Sequence, residues 1–256
     1  MVLAIDAGNS NIVFGCLENG DVQRVFRMAT DPAKTEDEYA VTIKNILTFN
    51  GVTGSGFDGV VISSVVPPLT KILRAAVKKL TGKDAVVVGS GIKTGLNILI
   101  DDPAQLGADM VAGAVGAIAS YKLPAIIVDL GTATKLSVID KNGSFLGGAI
   151  FPGVVLSMNA LTSNTSQLPK VHIEAPAKYI SANTIDCMRS GAIFGNAAMI
   201  DGMVARFEQE LGASASVIAT GGLADEIYPH CKHEVVYDPN LLLRGLGIIY
   251  EKNKRK

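Results

Sequence analysis

Tryptophan is absent from this sequence, and phenylalanine and tyrosine bring the aromatic content to only 5%. With so few rings and no basic patch interleaved among them, the chain has no stacking platform for single-stranded nucleic acid. An excess of charge of either sign is lacking too. The 24 acidic side chains against 23 basic ones leave a net charge of −1 over 256 residues, so bulk electrostatics names no partner. Cysteine is scarce: Cys16, Cys187 and Cys231 are odd in number and far apart, which argues against disulfides and shows no metal spacing. His230-Cys231-x-His233 lies in a short loop and reads as no metal site. Ser63, Ser64 and Ser90 lack a nucleophile-elbow context, so a hydrolytic triad has no support. No apolar run approaches the roughly 18 residues of a membrane span; Val111–Ala119, near the longest, carries two glycines and reads as a core helix. Met1-Val2-Leu3-Ala4-Ile5-Asp6 has no basic segment and meets a carboxylate early, so no signal peptide is expected. The expected location is cytoplasmic, with no membrane or nucleic-acid partner.

What is present is a small-residue α/β chain, rich in Ala, Val, Ile and Leu, with 27 glycines. Val2–Asp6, Asn11–Leu17 and Asp21–Arg27 read as a β-meander, with Asn19-Gly20 as a hairpin turn. Thr35 and Glu38 form a capping-box pattern ahead of a helix ending near Asn50-Gly51. Gly59–Ser64 and Ala85–Val88 read as buried strands flanking a helix that starts at Pro67-Pro68. Strands alternating with helices imply a mostly parallel sheet beyond the meander. Further on, an Ala-rich helix is expected from about Asn183 to Leu211, with Gly191 and Gly195 marking close contacts or a kink. Short strands follow at Ser216–Ala219 and Glu234–Tyr237, then a last helix with Pro239 at its first position and a solvated basic end from Lys252 to Lys256.

The pattern then repeats. Ala125-Ile126-Ile127-Val128-Asp129-Leu130-Gly131-Thr132-Ala133-Thr134 echoes Leu3 to Asn11: an apolar strand, Asp, one residue, Gly, and small polar residues. Asp129 lies 123 residues after Asp6, and Asn142-Gly143 stands where Asn19-Gly20 stood. The chain therefore divides into two lobes, residues 1–120 and 121–256. A carboxylate at a strand end, followed by a glycine turn with small polar side chains, sets an anion beside backbone N–H donors, which can hold a nucleotide's phosphates and Mg²⁺ together. The amides of the Gly8–Asn11 and Gly131–Thr134 turns are expected to face phosphate oxygens.

The duplicated hairpins, with Thr220-Gly221-Gly222 near the end, resemble the sugar-kinase, Hsp70 and actin superfamily. The implied fold is a two-lobed actin-like (ribonuclease H-like) ATPase, with duplicated mixed sheets flanked by helices and ATP in the cleft. Within it, the order of further motifs is similar to type III pantothenate kinase: Thr35-Glu36-Asp37-Glu38-Tyr39, Gly107-Ala108-Asp109, Gly147-Gly148 through Pro152-Gly153, Asn183-Thr184 and Ser190-Gly191. That resemblance implies ATP-dependent phosphorylation of pantothenate to 4′-phosphopantothenate, the first step of coenzyme A synthesis, by a homodimer that needs K⁺ or NH₄⁺. It also implies roles: Asp109 as proton acceptor; Asp6, Ala7, Gly8, Asn9, Ser10, Asn11 and Thr132 as ATP contacts; Gly107, Ala108, Asp109, Met110 and Thr184 around the substrate; and Asp129 as a potassium ligand.

The residue types suit the chemistry, because an attacking alcohol needs a carboxylate within reach of its proton while positioning and charge neutralisation do most of the rest. Asp109 is expected early in a helix capped by Asp102 with Pro103 at its first position. The family's usual Gly-Ala-Asp-Arg reads Gly107-Ala108-Asp109-Met110 here, which removes a guanidinium, and Lys135 and Ser137 replace the more usual Thr and Asp. Lys135 reads either as a positive charge near the phosphates or as a solvent-facing hairpin lysine, and Arg189 either as solvated or as approaching the substrate. Met110 keeps two alternatives open: a kinase of the same fold for another small alcohol, or a nucleotide-binding regulatory protein.

Overall fold

The first thirty residues form a three-stranded antiparallel meander, β1 (Val2–Ala7), β2 (Asn11–Glu18) and β3 (Asp21–Ala29), its first two strands mostly buried and the third largely exposed. Asn19 and Gly20 close its second turn with φ of 52° and 91°, the paired left-handed conformation that an Asn-Gly hairpin supplies. Thr35 and Glu38 cap α1 (Glu36–Phe49) reciprocally, the Thr35 N–H donating to Glu38 Oε2 at 2.8 Å. That bond holds the exposed Glu38 carboxyl below its ordinary value. Tyr39, fully buried, donates its hydroxyl to the Asp31 carbonyl (2.9 Å) and accepts the Asp31 N–H (3.0 Å), tying the helix entry to the end of the meander. Two parallel strands follow, β4 (Gly59–Ser64) and β5 (Ala85–Val87), joined by α2 (Pro67–Thr81).

The computed structural model describes residues 1–52 and 56–254, so Arg255 and Lys256 of the basic end lie outside the described residues. Its contacts divide the chain into two compact units. The first comprises Met1–Leu96, Asp101–Ala119 and Asn240–Lys256; the second comprises Asn97–Ile100 and Ser120–Pro239.

In the first unit the sheet runs β3-β2-β1-β4-β5. Leu3, Ile5, Phe14, Val60 and Ile62 bury one face against Tyr39, Ile43, Leu69 and Leu73 of α1 and α2. Against the other face lies α8 (Leu241–Asn253), which packs on β1 and β4. Sequence halving places this helix in the second lobe, but its Leu243 and Tyr250 meet Gly15 and Gly59 of the first sheet. Asn240 caps α8, which leaves Pro239 outside the helix rather than at its first position. The helix α3 (Ala108–Ser120) belongs to this unit as well.

The second unit opens with β7 (Ala125–Leu130), β8 (Ala133–Ile139) and β9 (Ser144–Pro152), again an antiparallel meander. Parallel β10 (Ser216–Thr220) and β11 (Val235–Tyr237) extend it on the other side, and the short β6 (Asn97–Ile98) adds an edge strand next to β9. The resulting order β11-β10-β7-β8-β9-β6 repeats the first sheet strand for strand, with β6 added. Ile126, Val128 and Leu130 bury one face against α4 (Val154–Asn164), α5 (Thr184–Ser190) and α6 (Asn196–Leu211). Between α5 and α6 the backbone makes a π-helical stretch, Gly191–Gly195. A Cβ at Gly191 or Gly195 would meet open space, so the two glycines mark a change of helical pitch and not a close approach that only glycine allows.

Candidate functional site

The two Asp-x-Gly hairpins fold alike but not identically. After β1 the turn is Gly8-Asn9-Ser10, closed by the Gly8 N–H donating to the Asn11 carbonyl at 3.0 Å. The Thr30 hydroxyl braces it by donating to the Gly8 carbonyl at 2.7 Å, and the Thr30 N–H donates to the Ser10 carbonyl at 3.1 Å. After β7 the turn is only Gly131-Thr132, closed by the Gly131 N–H on the Ala133 carbonyl at 3.2 Å. Both glycine amides are therefore used inside their own turns, which corrects the expectation that they face phosphate. Asn9, Ser10, Asn11 and Thr132 are the exposed residues at the tips.

The shorter turn shifts the register by one residue. Asp6 faces Val13 across β1 and β2, whereas Asp129 faces Lys135 across β7 and β8. Directly opposed side chains share a sheet face, and the Lys135 ammonium lies 2.8 Å from Asp129 Oδ2, with the two side chains only 17% and 18% exposed. Lys135 is thus not a solvent-facing hairpin lysine: it is paired with the strand-end carboxylate.

Two later glycines have their reason at this second turn. A Cβ on Gly153 would be driven into the carbonyl oxygens of Gly131 and Thr132, and Gly153 itself donates its N–H to the Thr132 carbonyl at 3.1 Å. Gly221, with φ of +98°, brings its backbone so close to Leu130 that a Cβ would sit 2.7 Å from three Leu130 backbone atoms. The Thr220-Gly221-Gly222 turn and the Pro152-Gly153 turn therefore wrap the same hairpin.

In the first unit Asp102 caps a single 3-10 turn, Pro103–Gln105, with the Ala104 N–H donating to Asp102 Oδ1 at 3.0 Å. Leu106 is then extended and α3 starts afresh at Ala108. Asp109 accordingly lies in the first turn of a separate helix, a correction to the single helix expected from Asp102. Its Oδ1 accepts the Met110 N–H at 2.8 Å, and a Cβ at position 107 would come within 2.5 Å of that oxygen, so only glycine leaves the carboxylate its place. Val65 links this segment to the first hairpin: its N–H donates to the Ala7 carbonyl at 3.1 Å, and its side chain approaches Gly107.

Thr184 opens α5 under the Asn183 cap, whose Oδ1 accepts the Asp186 N–H at 2.9 Å. It lines a cavity of about 740 Å³ with Met158, Leu161, Leu168, Cys187 and Met188, in the size range of small-molecule sites. Arg189 pairs with Glu174 Oε1 at 2.5 Å and donates to the His172 carbonyl at 3.3 Å. His233 Nδ1 lies 3.1 Å from Asp201 Oδ1, and burial pushes the neighbouring Cys231 thiol up to about 12. Among the described residues no group of three or more His, Cys, Asp or Glu gathers to hold a metal.

Residues 2–206 match the family model described as type III pantothenate kinase. The chain is 42% identical over 253 residues to the type III pantothenate kinase of Halalkalibacterium halodurans, covering 99% of this chain and all of that protein. It is 40% identical over 253 residues to that of Moorella thermoacetica, with the same coverage. This chain belongs to the type III pantothenate kinase family.

Solved structures carry the fold. A candidate 2-dehydro-3-deoxygalactonokinase protein of Sinorhizobium meliloti superposes with a TM-score of 0.60 at 11% identity, covering 100% of this chain and 98% of that one. An activator of 2-hydroxyisocaproyl-CoA dehydratase from Clostridium difficile, solved with bound ADPNP, does so with 0.53 at 13% identity, covering 97% and 93%. The two mixed sheets are those of an actin-like sugar-kinase and ATPase fold.

For a type III pantothenate kinase, the motif positions fall in each unit as follows. The first holds Asp6 through Asn11 and Gly107 through Met110; the second holds Asp129, Thr132 and Thr184. Mg²⁺ takes oxygen ligands, and two residues that would offer them stand side by side: Asp6 and, in register with it on β4, Ser63, whose buried Oγ has no hydrogen-bond partner. At Asp129 the Lys135 ammonium already sits against the carboxylate, where a further monovalent cation would stand. Sequence reading missed this pair and the apolar lining of the Thr184 cavity. The pair was open to it through the turn length, since counting two turn residues instead of three sets Lys135 opposite Asp129.

Proposed function

We propose that this chain transfers the γ-phosphoryl group of ATP to the primary hydroxyl of pantothenate, the first step of coenzyme A synthesis. The observation that carries the reading is family membership along the full chain, at 42% identity, in a protein that keeps both Asp-x-Gly hairpins and Gly107-Ala108-Asp109. In the proposal Asp109 accepts the hydroxyl proton as the oxygen attacks the γ-phosphorus and ADP leaves. Asp6, Ala7, Gly8, Asn9, Ser10, Asn11 and Thr132 contact the ATP phosphates, the exposed side chains and amides at the turn tips serving where the glycine amides are spent. Mg²⁺ arrives with the nucleotide, is held by its phosphates and Asp6, and neutralises charge on the phosphoryl oxygens. Gly107, Ala108, Met110 and Thr184 line the substrate, Thr184 as one of the residues around the cavity described above.

A cytoplasmic homodimer is part of the same proposal. Three free thiols, Cys16, Cys187 and Cys231, suit a reducing compartment. The exposed Val155, Leu156 and Ile185 on α4 and α5 supply apolar surface that a second copy would cover.

Asp109→Asn is the direct test. Phosphorylation of pantothenate, followed by ADP release, should fall at least ~100-fold, the order that a positioned base contributes, with the Kd for ATP changed less than about twofold. Full activity in that variant would remove Asp109 from the mechanism. Met110 favours a second reading, a small alcohol that lacks the pantothenate carboxylate; kcat/KM across such alcohols exceeding that for pantothenate would select it.

A further inference from the structure

We propose that Lys135 is the built-in monovalent cation of the second phosphate hairpin, so that nucleotide binding here needs no K⁺ or NH₄⁺. The inference rests on the reading above, that the Thr132 turn receives ATP phosphates. An anionic side chain two residues before such a turn repels the phosphates unless a cation stands against it. In the first hairpin Asp6 faces the apolar Val13, and β2 carries no Lys or Arg, so no cation stands opposite it on that strand. In the second hairpin the one-residue-shorter turn sets Lys135 directly opposite Asp129, with Nζ 2.8 Å from Oδ2. The carboxylate's other oxygen, Oδ1, lies over Gly131, where a Cβ would be 3.4 Å away, so the neutralised pair sits at the base of the turn itself.

The pair is held from several directions. Its side chains are less than one-fifth exposed, which weakens solvent screening of the attraction. Asp129 is in register with Thr220 on β10, and Lys135 with Ile150 on β9, so both members sit on strands flanked on either side. An ammonium tethered in this way carries the same charge as K⁺ and delivers it without a binding equilibrium. The two hairpins thus meet the same electrostatic demand by different means, a diffusible divalent ion at Asp6 and a covalently attached ammonium at Asp129.

Isothermal titration of the full chain with MgATP tests this, in potassium chloride and in tetramethylammonium chloride at equal ionic strength. The unmodified chain should give Kd values within about twofold of each other. Lys135→Ala should bind at least about tenfold more weakly in tetramethylammonium, the order expected when one partner of a partly buried charge pair is removed, and potassium should restore the affinity. Lys135→Arg, which keeps the charge, should remain indifferent to the salt and covers the case in which the alanine variant fails to fold. A tenfold or greater gain in affinity of the unmodified chain on adding potassium overturns the proposal, as does unchanged affinity of a folded Lys135→Ala in tetramethylammonium. Salt-independent ATP binding without pantothenate phosphorylation overturns the functional reading and leaves the role of Lys135 standing. No ATP binding in either salt overturns both.

Discussion

Replacing Gly245 with alanine should destabilise the first unit by about 2 kcal/mol, although alanine is the better helix former. Gly245 lies inside α8 at its crossing with α3, where a Cβ would be driven into the Ala112 carbonyl oxygen and stand 3.0 Å from the Gly116 nitrogen. A Cβ on Gly116, from the other side of the crossing, would strike the Leu241 carbonyl oxygen. Backbone atoms have no rotamer to move to, so the helices must separate, and Leu241, Leu243, Leu246 and Ile249 on α8 are all buried. Overpacking costs ~1–3 kcal/mol, and the upper end applies where backbone is the obstacle. Alanine's helical preference returns ~1 kcal/mol, leaving a net loss of about 2 kcal/mol, or about 4–8 °C in Tm for a chain of this size. Gly195→Ala is the control: it is helical, with φ of −63°, but has no heavy atom of another element within 4 Å of its Cβ direction. That variant should gain up to ~1 kcal/mol. Urea unfolding followed by circular dichroism measures both. If the two substitutions shift the midpoint in the same direction, the close α3–α8 contact is not what fixes glycine at 245.

Two further outcomes are expected. Cys187 is exposed and lines the Thr184 cavity, while burial raises the Cys16 and Cys231 thiols to about 11 and about 12; thiol-directed labelling followed by mass spectrometry should find Cys187 modified first and pantothenate slowing it. Labelling indifferent to pantothenate would separate the cavity from the substrate. Burial pushes the Asp201 carboxyl up, but the N–H groups of Lys232 and His233 and the His233 ring outweigh it and hold Asp201 below its ordinary 3.8. A carboxylate depressed on folding stabilises above its unfolded pKa and loses that contribution as pH falls through the folded value. Stability should therefore fall below about pH 4, and less steeply in Asp201→Asn; parallel acid-unfolding profiles would show that Asp201 contributes nothing.

Much of the architecture was legible because local chemistry enforced it. The capping pair Thr35 and Glu38, the Asn19-Gly20 turn and Pro67-Pro68 each specify one local geometry, and each element formed where those residues stand. The repeat of apolar strand, Asp and Gly gave the duplicated meander, since the continuous apolar runs that bury Ile5 and Ile126 are visible residue by residue. What stayed hidden depends on tertiary placement. Leu106 looks like any helical leucine, yet its extended backbone separates the Asp102 cap from Asp109. Nothing in Leu241–Asn253 says which sheet it covers, because an apolar helix face carries no address, and Gly15 and Gly59 show their purpose only once Leu243 and Tyr250 lie over them. The Lys135 pair was obscured by a single residue of turn length, to which strand pairing is unforgiving: one step reassigns every partner across the hairpin.

The position of α8 also sets an order of events during synthesis. The first unit contains Met1, whose ammonium pairs with Asp58, and also contains Asn253, whose amide donates to the Lys93 carbonyl. Its sheet lacks one cover until Leu241–Asn253 has left the ribosome, whereas every strand and helix of the intervening unit has by then been translated. The segment made first is finished last, and the nascent chain must carry the uncovered faces of Ala4 and Val61 until the closing helix arrives.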